Sequence, residues 1–243
     1  MAYFLFLDYD GTLTPIVKRP GMAQLSRARR ELLKKLAASP HFTVAVVSGR
    51  MLSDVAKKVG IKSAYYVGNH GFEISGPKLK FLHPKARAAK PILRRIKKEL
   101  LRRLKGVKGI IVEDKVLTLS LHYRLVRQRD LAKVKTTFHT LTRPHLKKKK
   151  IRMTSGKKVF EIRPNARWDK GRAVLWLLKK RVKGRKVTPV YIGDDTTDED
   201  AFRALGKRGI TIHVGRGKKT LARRRLNDVK GVYRFLSRLA LEF

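Results

Sequence analysis

The sequence predicts an α/β fold, a parallel sheet with helices on both faces, interrupted once by a compact α+β insert. Two observations carry this. Toward both ends of the chain, short apolar runs closed by polar loops alternate with helix-period segments, whereas the middle shows strict polar and apolar alternation. A continuous apolar run suits a strand buried on both faces, and alternation suits a strand with one face exposed. At 243 residues the chain is long enough to bury one large core and a smaller insert.

The first run, Tyr3-Phe4-Leu5-Phe6-Leu7, empties into Asp8-Tyr9-Asp10-Gly11-Thr12-Leu13. Leu25, Ala28, Leu32, Leu33 and Leu36 then recur at helical spacing before a second run, Phe42 to Val47, which ends in Ser48-Gly49-Arg50. A short helix carrying Leu52, Val55, Ala56 and Val59 precedes a third strand, Tyr65 to Val67, closed by Gly68-Asn69-His70-Gly71. Past the insert the pattern resumes. Ala173 to Leu178 lie on a helix, Val187 to Ile192 on a strand ending in Gly193-Asp194-Asp195, Ile210 to Val214 on a last strand, and Val232 to Leu241 on an edge helix. This is a Rossmann-like arrangement, in which ligands are expected at the carboxyl ends of the strands.

In the insert, Leu93, Ile96, Leu100, Leu101 and Leu104 form an amphipathic pattern, and Leu117, Leu119, Leu121 and Tyr123 alternate with Thr118, Ser120 and His122. A second helix from about Asp130 to Leu141 precedes strands at Ile151 to Thr154 and Lys157 to Ile162, with Pro164-Asn165 as the exit hinge. The expected domains are 1–81 with 165–243 for the core, and 82–164 for the insert. Lys147 to Lys150, the longest pure charge run, reads as a solvated loop.

Composition narrows the function classes. Sixty Lys and Arg against 18 Asp and Glu give a formal charge of +42, the usual argument for a nucleic-acid partner. The cations are spread over helix faces, however, and the chain shows no zinc-finger spacing, aromatic ribonucleoprotein box or recognition helix. Polyanion binding is therefore expected to be weak, incidental and lost as salt rises. No window approaches the ~20 apolar residues of a membrane span, and no basic stretch with a cleavable apolar run opens the sequence. A soluble, cytoplasmic protein is expected. The absence of cysteine excludes disulfides, thiolate metal sites and a cysteine nucleophile. Eight of the 18 acids fall at strand ends or in one short stretch, namely Asp8, Asp10, Asp169, Asp194, Asp195, Asp198, Glu199 and Asp200. Turns and helix starts favour Asp in any case, which accounts for some of these.

Taken alone, Asp8-Tyr9-Asp10 is two carboxylates able to face one reacting centre, with an acidic turn after a core strand as the lesser alternative. Its companions decide. Phosphoryl transfer needs a nucleophile, cations on the non-bridging oxygens, and a hard metal held by carboxylates. Asp8 and Asp10, Ser48, Lys170, and Asp194, Asp195 and Asp198 supply this set from four loops. Carboxylate loops without nearby histidine or cysteine favour Mg²⁺ over zinc.

In these stretches, and in Asp169-Lys170-Gly171 and Tyr191 through Phe202, the chain resembles the haloacid dehalogenase superfamily of phosphohydrolases. Within it, the chain is similar to the trehalose-6-phosphate phosphatase family over almost its whole length. In the insert, Glu113-Asp114-Lys115, His122-Tyr123-Arg124 and Ser155 through Pro164 look like that family's sugar-binding cap. The resemblance implies Asp8 as nucleophile and Asp10 as general acid and then base. Mg²⁺ would be held by Asp8, the Asp10 carbonyl and Asp194, and Asp195 and Asp198 would orient Lys170 and metal-bound water. Ser48 and Lys170 would hold the phosphoryl oxygens, with a further contact from Thr12. Glu113, Lys115 and Glu161 would bind sugar hydroxyls, and Arg50, Asn69, His70, Arg124, Gly156 and Lys158 would complete the substrate site beneath a closing lid. Without the family, Glu113, Lys115 and Glu161 read as a surface salt bridge worth at most about 1 kcal/mol, and His70 as a group satisfying a strand end. The implied substrate is trehalose 6-phosphate; sucrose phosphate, mannosylphosphoglycerate or a polyanion on an old phosphatase core are the alternatives. A monomer is expected, with a trehalose-phosphate synthase as the candidate partner.

Overall fold

A computed structural model describes residues 2–17, 20–156, 158–182, 184, 186–217 and 219–243. The chain divides into two compact units, Met1–Phe81 with Trp168–Phe243, and Leu82–Arg167. The insert thus runs past Pro164, because the Asn165 amide and side chain donate to the carbonyls of Lys150 and Lys149. Among the described residues, no helix is long and apolar enough to cross a membrane.

The larger unit is built on an eight-stranded sheet. Its strands are β1 (Ala2–Asp8), β2 (Phe42–Val47), β3 (Tyr65–Gly68), β4 (Glu73–Gly76), β5 (Leu79–Leu82), β10 (Val187–Gly193), β11 (Ile210–Val214) and β12 (Arg224–Leu226), in the order β12-β11-β10-β1-β2-β3-β4-β5. From β12 to β3 all pairs are parallel, and β4 returns antiparallel on β3. Four consecutive residues of β1 show why the sheet is covered on both sides. Leu5 and Leu7 pack with Val44, Val46, Leu33 and Leu236 in one core, and Phe4 and Phe6 pack with Val47, Tyr191, Val174 and Phe202 in the other. The period of two along a strand buries alternate side chains in opposite layers.

The layers are made by α1 (Arg27–Ala38), α2 (Leu52–Val59), α5 (Lys170–Arg181), α6 (Glu199–Leu205) and α7 (Val229–Leu241). Their starts are chemically marked. Ser26, Asp169 and Asp228 accept hydrogen bonds from the amides of Arg29, Arg172 and Gly231, each three residues on. β1 lies between β2 and β10, where the chain order reverses, so its carboxyl end opens into the crevice of the sheet.

The insert has a four-stranded antiparallel sheet in the order β6-β7-β9-β8, from β6 (Ile111–Asp114), β7 (Leu119–His122), β8 (Ile151–Gly156) and β9 (Val159–Pro164). One face packs on α3 (Pro84–Arg103) and α4 (Gln128–Lys147) through Leu93, Ile96, Leu100, Val134 and Phe138 against Leu119, Leu121, Phe160 and Ile162. Both helices are longer than the apolar spacing predicts. α3 runs through Pro91 and α4 reaches past Pro144; Ala86 and Ala89 are buried before the first leucine of the stripe, and that packing outweighs the lost amide. Lys147, at the end of α4, is helical rather than looped. The strand expected from Lys157 begins at Val159, and Lys157 lies outside the described residues.

Gly171 is where α5 meets α6, for a Cβ there would sit 2.2 Å from the Asp200 carbonyl oxygen. That atom is backbone and cannot swing away. Gly171→Ala should therefore destabilise the protein by about 1–3 kcal/mol, read as a lower urea midpoint at unchanged slope; an unchanged midpoint would show that the two helices part freely.

Candidate active site

In the larger unit, the strand-end loops bring the expected acids together around one lysine. Lys170, the first residue of α5, is almost fully buried, and its Nζ donates to Oδ1 of Asp8 at 2.6 Å and to Oδ1 of Asp198 at 2.7 Å. Asp198 also accepts from the Tyr191 hydroxyl at 2.7 Å and from the amides of Asp194 and Asp195. Asp8, Asp194 and Asp198 each place a carboxylate oxygen within 4.8 Å of the others. An all-oxygen, three-carboxylate donor set with a single lysine opposing it fits a hard divalent cation. Asp198, expected to orient Lys170, accepts from its ammonium and lies within the same cluster. Gly11, at φ 87°, passes so close to Asp194 that a Cβ would lie 2.1 Å from Oδ2. Only glycine fits both the backbone conformation and the gap.

Several expected ligands are engaged elsewhere. Arg50 donates through Nε and Nη2 to the two oxygens of Asp10 at 2.7 and 2.6 Å, and through Nη1 to Asp54 at 2.9 Å. The planar guanidinium matches a carboxylate edge, which makes this a bidentate pair. Thr12 donates its hydroxyl to Asp194 at 3.1 Å. The exposed Asp195 accepts from the amide and hydroxyl of Thr196 instead of from Lys170, as an Asp in a tight turn does. Ser48 is buried and its Oγ accepts the Arg50 amide at 3.1 Å. Asn69 and His70 both have positive φ, 49° and 57°. The Asn69 side chain donates to Glu73 at 2.6 Å, the His70 amide donates to the Ser48 carbonyl at 3.1 Å, and the His70 ring lies on Gly49.

The insert carries its own polar cluster. Lys115 Nζ lies 3.7 Å from Glu113 and 4.0 Å from Glu161, His122 Nε2 is 3.1 Å from Glu113, and Arg163 donates to Glu161 through Nε at 2.8 Å. Gly156 ends β8, Lys158 forms the turn to β9 at φ 63° with its carbonyl accepting the Tyr123 amide, and Arg124 is exposed after β7. The three residues expected to bind a sugar therefore sit together on one unit, interlaced with two basic neighbours.

The trehalose-phosphatase family model matches residues 6–230. The chain belongs to this family. It is 37% identical over 249 residues to probable trehalose-phosphate phosphatase D of Arabidopsis thaliana, covering 97% of this chain and 66% of that one. It is likewise 37% identical over 243 residues to trehalose-phosphate phosphatase of Mycobacterium tuberculosis H37Rv, covering 97% and 61%. The chain thus spans a little under two thirds of the length of these relatives. A solved structure of Aspergillus fumigatus trehalose-6-phosphate phosphatase is 28% identical, with a TM-score of 0.68 over 100% of this chain and 93% of that one. A trehalose-6-phosphate phosphatase related protein, 22% identical, shares the fold at a TM-score of 0.82 over 98% and 97%.

This trehalose-phosphatase family member also uses groups that motif reading passes over. Tyr191 opens the matching stretch but is read there only as a strand residue. Asp54 stands one helical turn after Arg50, and Glu73 four residues after Asn69, a spacing that does flag an ion pair or amide contact. Burial shapes the titration of the acids. The Asp8 carboxyl is raised well above its usual range by burial, against the pull of Lys170; Lys170 itself, although disfavoured by burial, is held protonated by Asp198 and Asp8. Burial, then Asp198, push Asp194 up to about 6.

A carboxyl whose pKa is raised on folding contributes stability that is complete below its unfolded value of 3.8 and is lost as pH rises through about 6. Asp8 adds to this in the same direction. In chelator, the melting temperature should therefore fall between about pH 5 and pH 7. Added Mg²⁺ should raise it by a few degrees at neutral pH and by little near pH 5, where protons hold the same oxygens. Scanning fluorimetry at the two pH values checks both signs.

Proposed function

We propose that the protein is a Mg²⁺-dependent phosphatase that hydrolyses trehalose 6-phosphate to trehalose and phosphate through an aspartyl-phosphate. The observation that carries this reading is the buried Asp8 carboxylate at the end of the central strand, held by Lys170 at 2.6 Å within a cluster of three acids. Membership of the trehalose-phosphatase family supports trehalose 6-phosphate as the substrate. Asp8, Asp194 and the Asp10 carbonyl would hold Mg²⁺, which supplies charge neutralisation for the phosphoryl oxygens when bound.

The chain's own residues then divide the work. An Asp8 oxygen forms a bond to phosphorus as the bond from phosphorus to the sugar oxygen breaks, and Asp10 gives its proton to that oxygen. Asp10 takes a proton from water in the second step, the water oxygen bonds to phosphorus, and Asp8 is released. To do so, Asp10 exchanges its Arg50 partner for the reacting oxygen. Lys170 and Ser48 offer donors to the phosphoryl group, while Asp198 and Tyr191 keep the Lys170 ammonium in place. Thr12 orients Asp194. In the insert, Glu113, Lys115 and Glu161 select the sugar, with Arg124, Gly156, Lys158, Asn69 and His70 as further contacts. A site built to bond particular hydroxyls discriminates strongly against sugars lacking them. We place the enzyme in the cytoplasm as a monomer, acting on the product of a trehalose-phosphate synthase.

Phosphate release from trehalose 6-phosphate, beside glucose 6-phosphate and sucrose 6-phosphate, with and without Mg²⁺, tests the assignment. The first should be the preferred substrate, and only with the metal; preference for sucrose 6-phosphate would move the protein to a sister activity. Asp8→Asn should lower turnover of every ester by about 10³-fold or more. Glu161→Ala should raise KM for the disaccharide phosphate and leave p-nitrophenyl phosphate unaffected. Equal losses on both would remove the insert from substrate choice.

A further inference from the structure

The chain leaves the larger unit at Phe81 and returns to it at Trp168. The two rings pack with centroids 5.6 Å apart, and Phe81 also packs on Trp176 at 4.4 Å. The indole held in this way donates from Nε1 to the Gly71 carbonyl at 2.7 Å. Gly71 is buried, at φ 99°, and lies on the first turn of α5: a Cβ there would come 2.7 Å from the Ala173 Cβ and 3.0 Å from the Asp169 carbonyl oxygen.

This contact has a phosphoryl donor on either side of it. Lys170 follows Trp168 by two residues, and the Asp169 between them caps α5 by accepting the Arg172 amide at 2.8 Å. Gly71 closes the turn Asn69–Gly71, in which the His70 amide donates to the Ser48 carbonyl at 3.1 Å and the Asn69 amide to the Arg50 carbonyl at 2.7 Å. Asn69 and His70 are consecutive non-glycine residues in the left-handed region, at φ 49° and 57°. Such a conformation persists only where its surroundings fix it. A hydrogen bond to the Gly71 carbonyl is one such restraint, and an indole packed on other rings delivers it from a set direction.

We propose that Trp168 is a positioning residue for phosphoryl binding: its bond to the Gly71 carbonyl holds the turn behind Ser48 against the start of α5, and so sets Ser48 and Lys170 at the spacing that phosphoryl oxygens require. The inference rests on the reading of Ser48 and Lys170 as the groups that hold those oxygens. Asp8 and Asp198 fix the Lys170 ammonium from its own end; Trp168 ties the backbone that carries it to the loop it works with.

Steady-state kinetics of the wild type, Trp168→Phe and Trp168→benzothienylalanine, which keeps the indole shape without the N–H, provide the test. The substrates are trehalose 6-phosphate and p-nitrophenyl phosphate, with inorganic phosphate as competing ligand. Both replacements should lower kcat/KM about five- to tenfold, by the same factor on the two esters, and raise the inhibition constant of inorganic phosphate in parallel. The factor is shared because the two esters present the same group to Ser48 and Lys170. A packing role alone predicts a different pattern: the benzothienylalanine protein matches the wild type, and Trp168→Phe loses kcat through its unfolded fraction at an unaltered phosphate inhibition constant. Either of those results overturns the proposal, as does a loss confined to trehalose 6-phosphate. A wild type active on trehalose 6-phosphate beside an unaffected benzothienylalanine protein refutes this inference alone. A wild type inactive on every phosphate ester refutes the functional reading and this inference with it.

Discussion

The larger unit depends on one buried ammonium, Lys170, shared between Asp8 and Asp198. Moving charges out of water is expensive, and such a group persists only when its partners are close and its remaining bonds are made. Here the partners come from β1 and from the loop after β10, 162 and 28 residues away along the chain. The fold must therefore set the end of β1, the end of β10 and the first turn of α5 at one point. The parallel pairing of β1 with β10, running Ala2 with Val187 through Leu7 with Ile192, does the first part. Gly171, where α5 touches the Asp200 carbonyl, does the second. Even so, three carboxylates face a single ammonium in the cluster. Burial, and then the neighbouring acids, raise the pKa values of Asp8 and Asp194, and a site of this kind fits a divalent cation.

What could be read from the sequence follows the same logic. The central strands were legible because each is a run buried on both faces, and the motif loops were legible because acids at the ends of such runs are otherwise costly. The elements left out are those whose residues carry no such signal. β12 is Arg224-Arg225-Leu226, two cations on an edge strand; β4 and β5 are four residues each; β6 ends in Glu113-Asp114. Their strand character comes from a neighbour's unpaired backbone more than from their own side chains. Within the larger unit Asp8, Lys170, Asp194 and Asp198 come together, and within the insert Glu113, Lys115 and Glu161, but their partners were not foreseen. Arg50 has the right type and place for a phosphate ligand, and the sequence alone cannot show that Asp10 and Asp54 both reach it first.

The excess of cations acquires meaning beside these pairs. Of the acids, several are spent in buried or half-buried contacts with one defined base: Asp8 and Asp198 with Lys170, Asp10 with Arg50, Glu161 with Arg163. Others serve exposed helix pairs such as Glu99 with Arg102 and Arg103, which contribute little to stability. Most of the 60 cations therefore have no carboxylate to meet, since only 18 exist. Their mutual repulsion opposes compaction at low salt, while the field they make draws anions toward the protein. Both effects are screened together as salt rises.

One device recurs in the two units. A carboxylate given a role in the proposed chemistry is held by a basic side chain: Lys170 on Asp8, Arg50 on both oxygens of Asp10, Arg163 on Glu161. An unrestrained carboxylate in a chain this basic would be captured by whichever cation came nearest, and its geometry would vary with the rotamers of long side chains. A dedicated partner removes that freedom before any ligand arrives, which is the condition for a precise polar site. Composition makes the device necessary, because strong positive excess threatens every acid in the molecule. It also makes the device easy to supply, since 60 lysines and arginines are available to the fold.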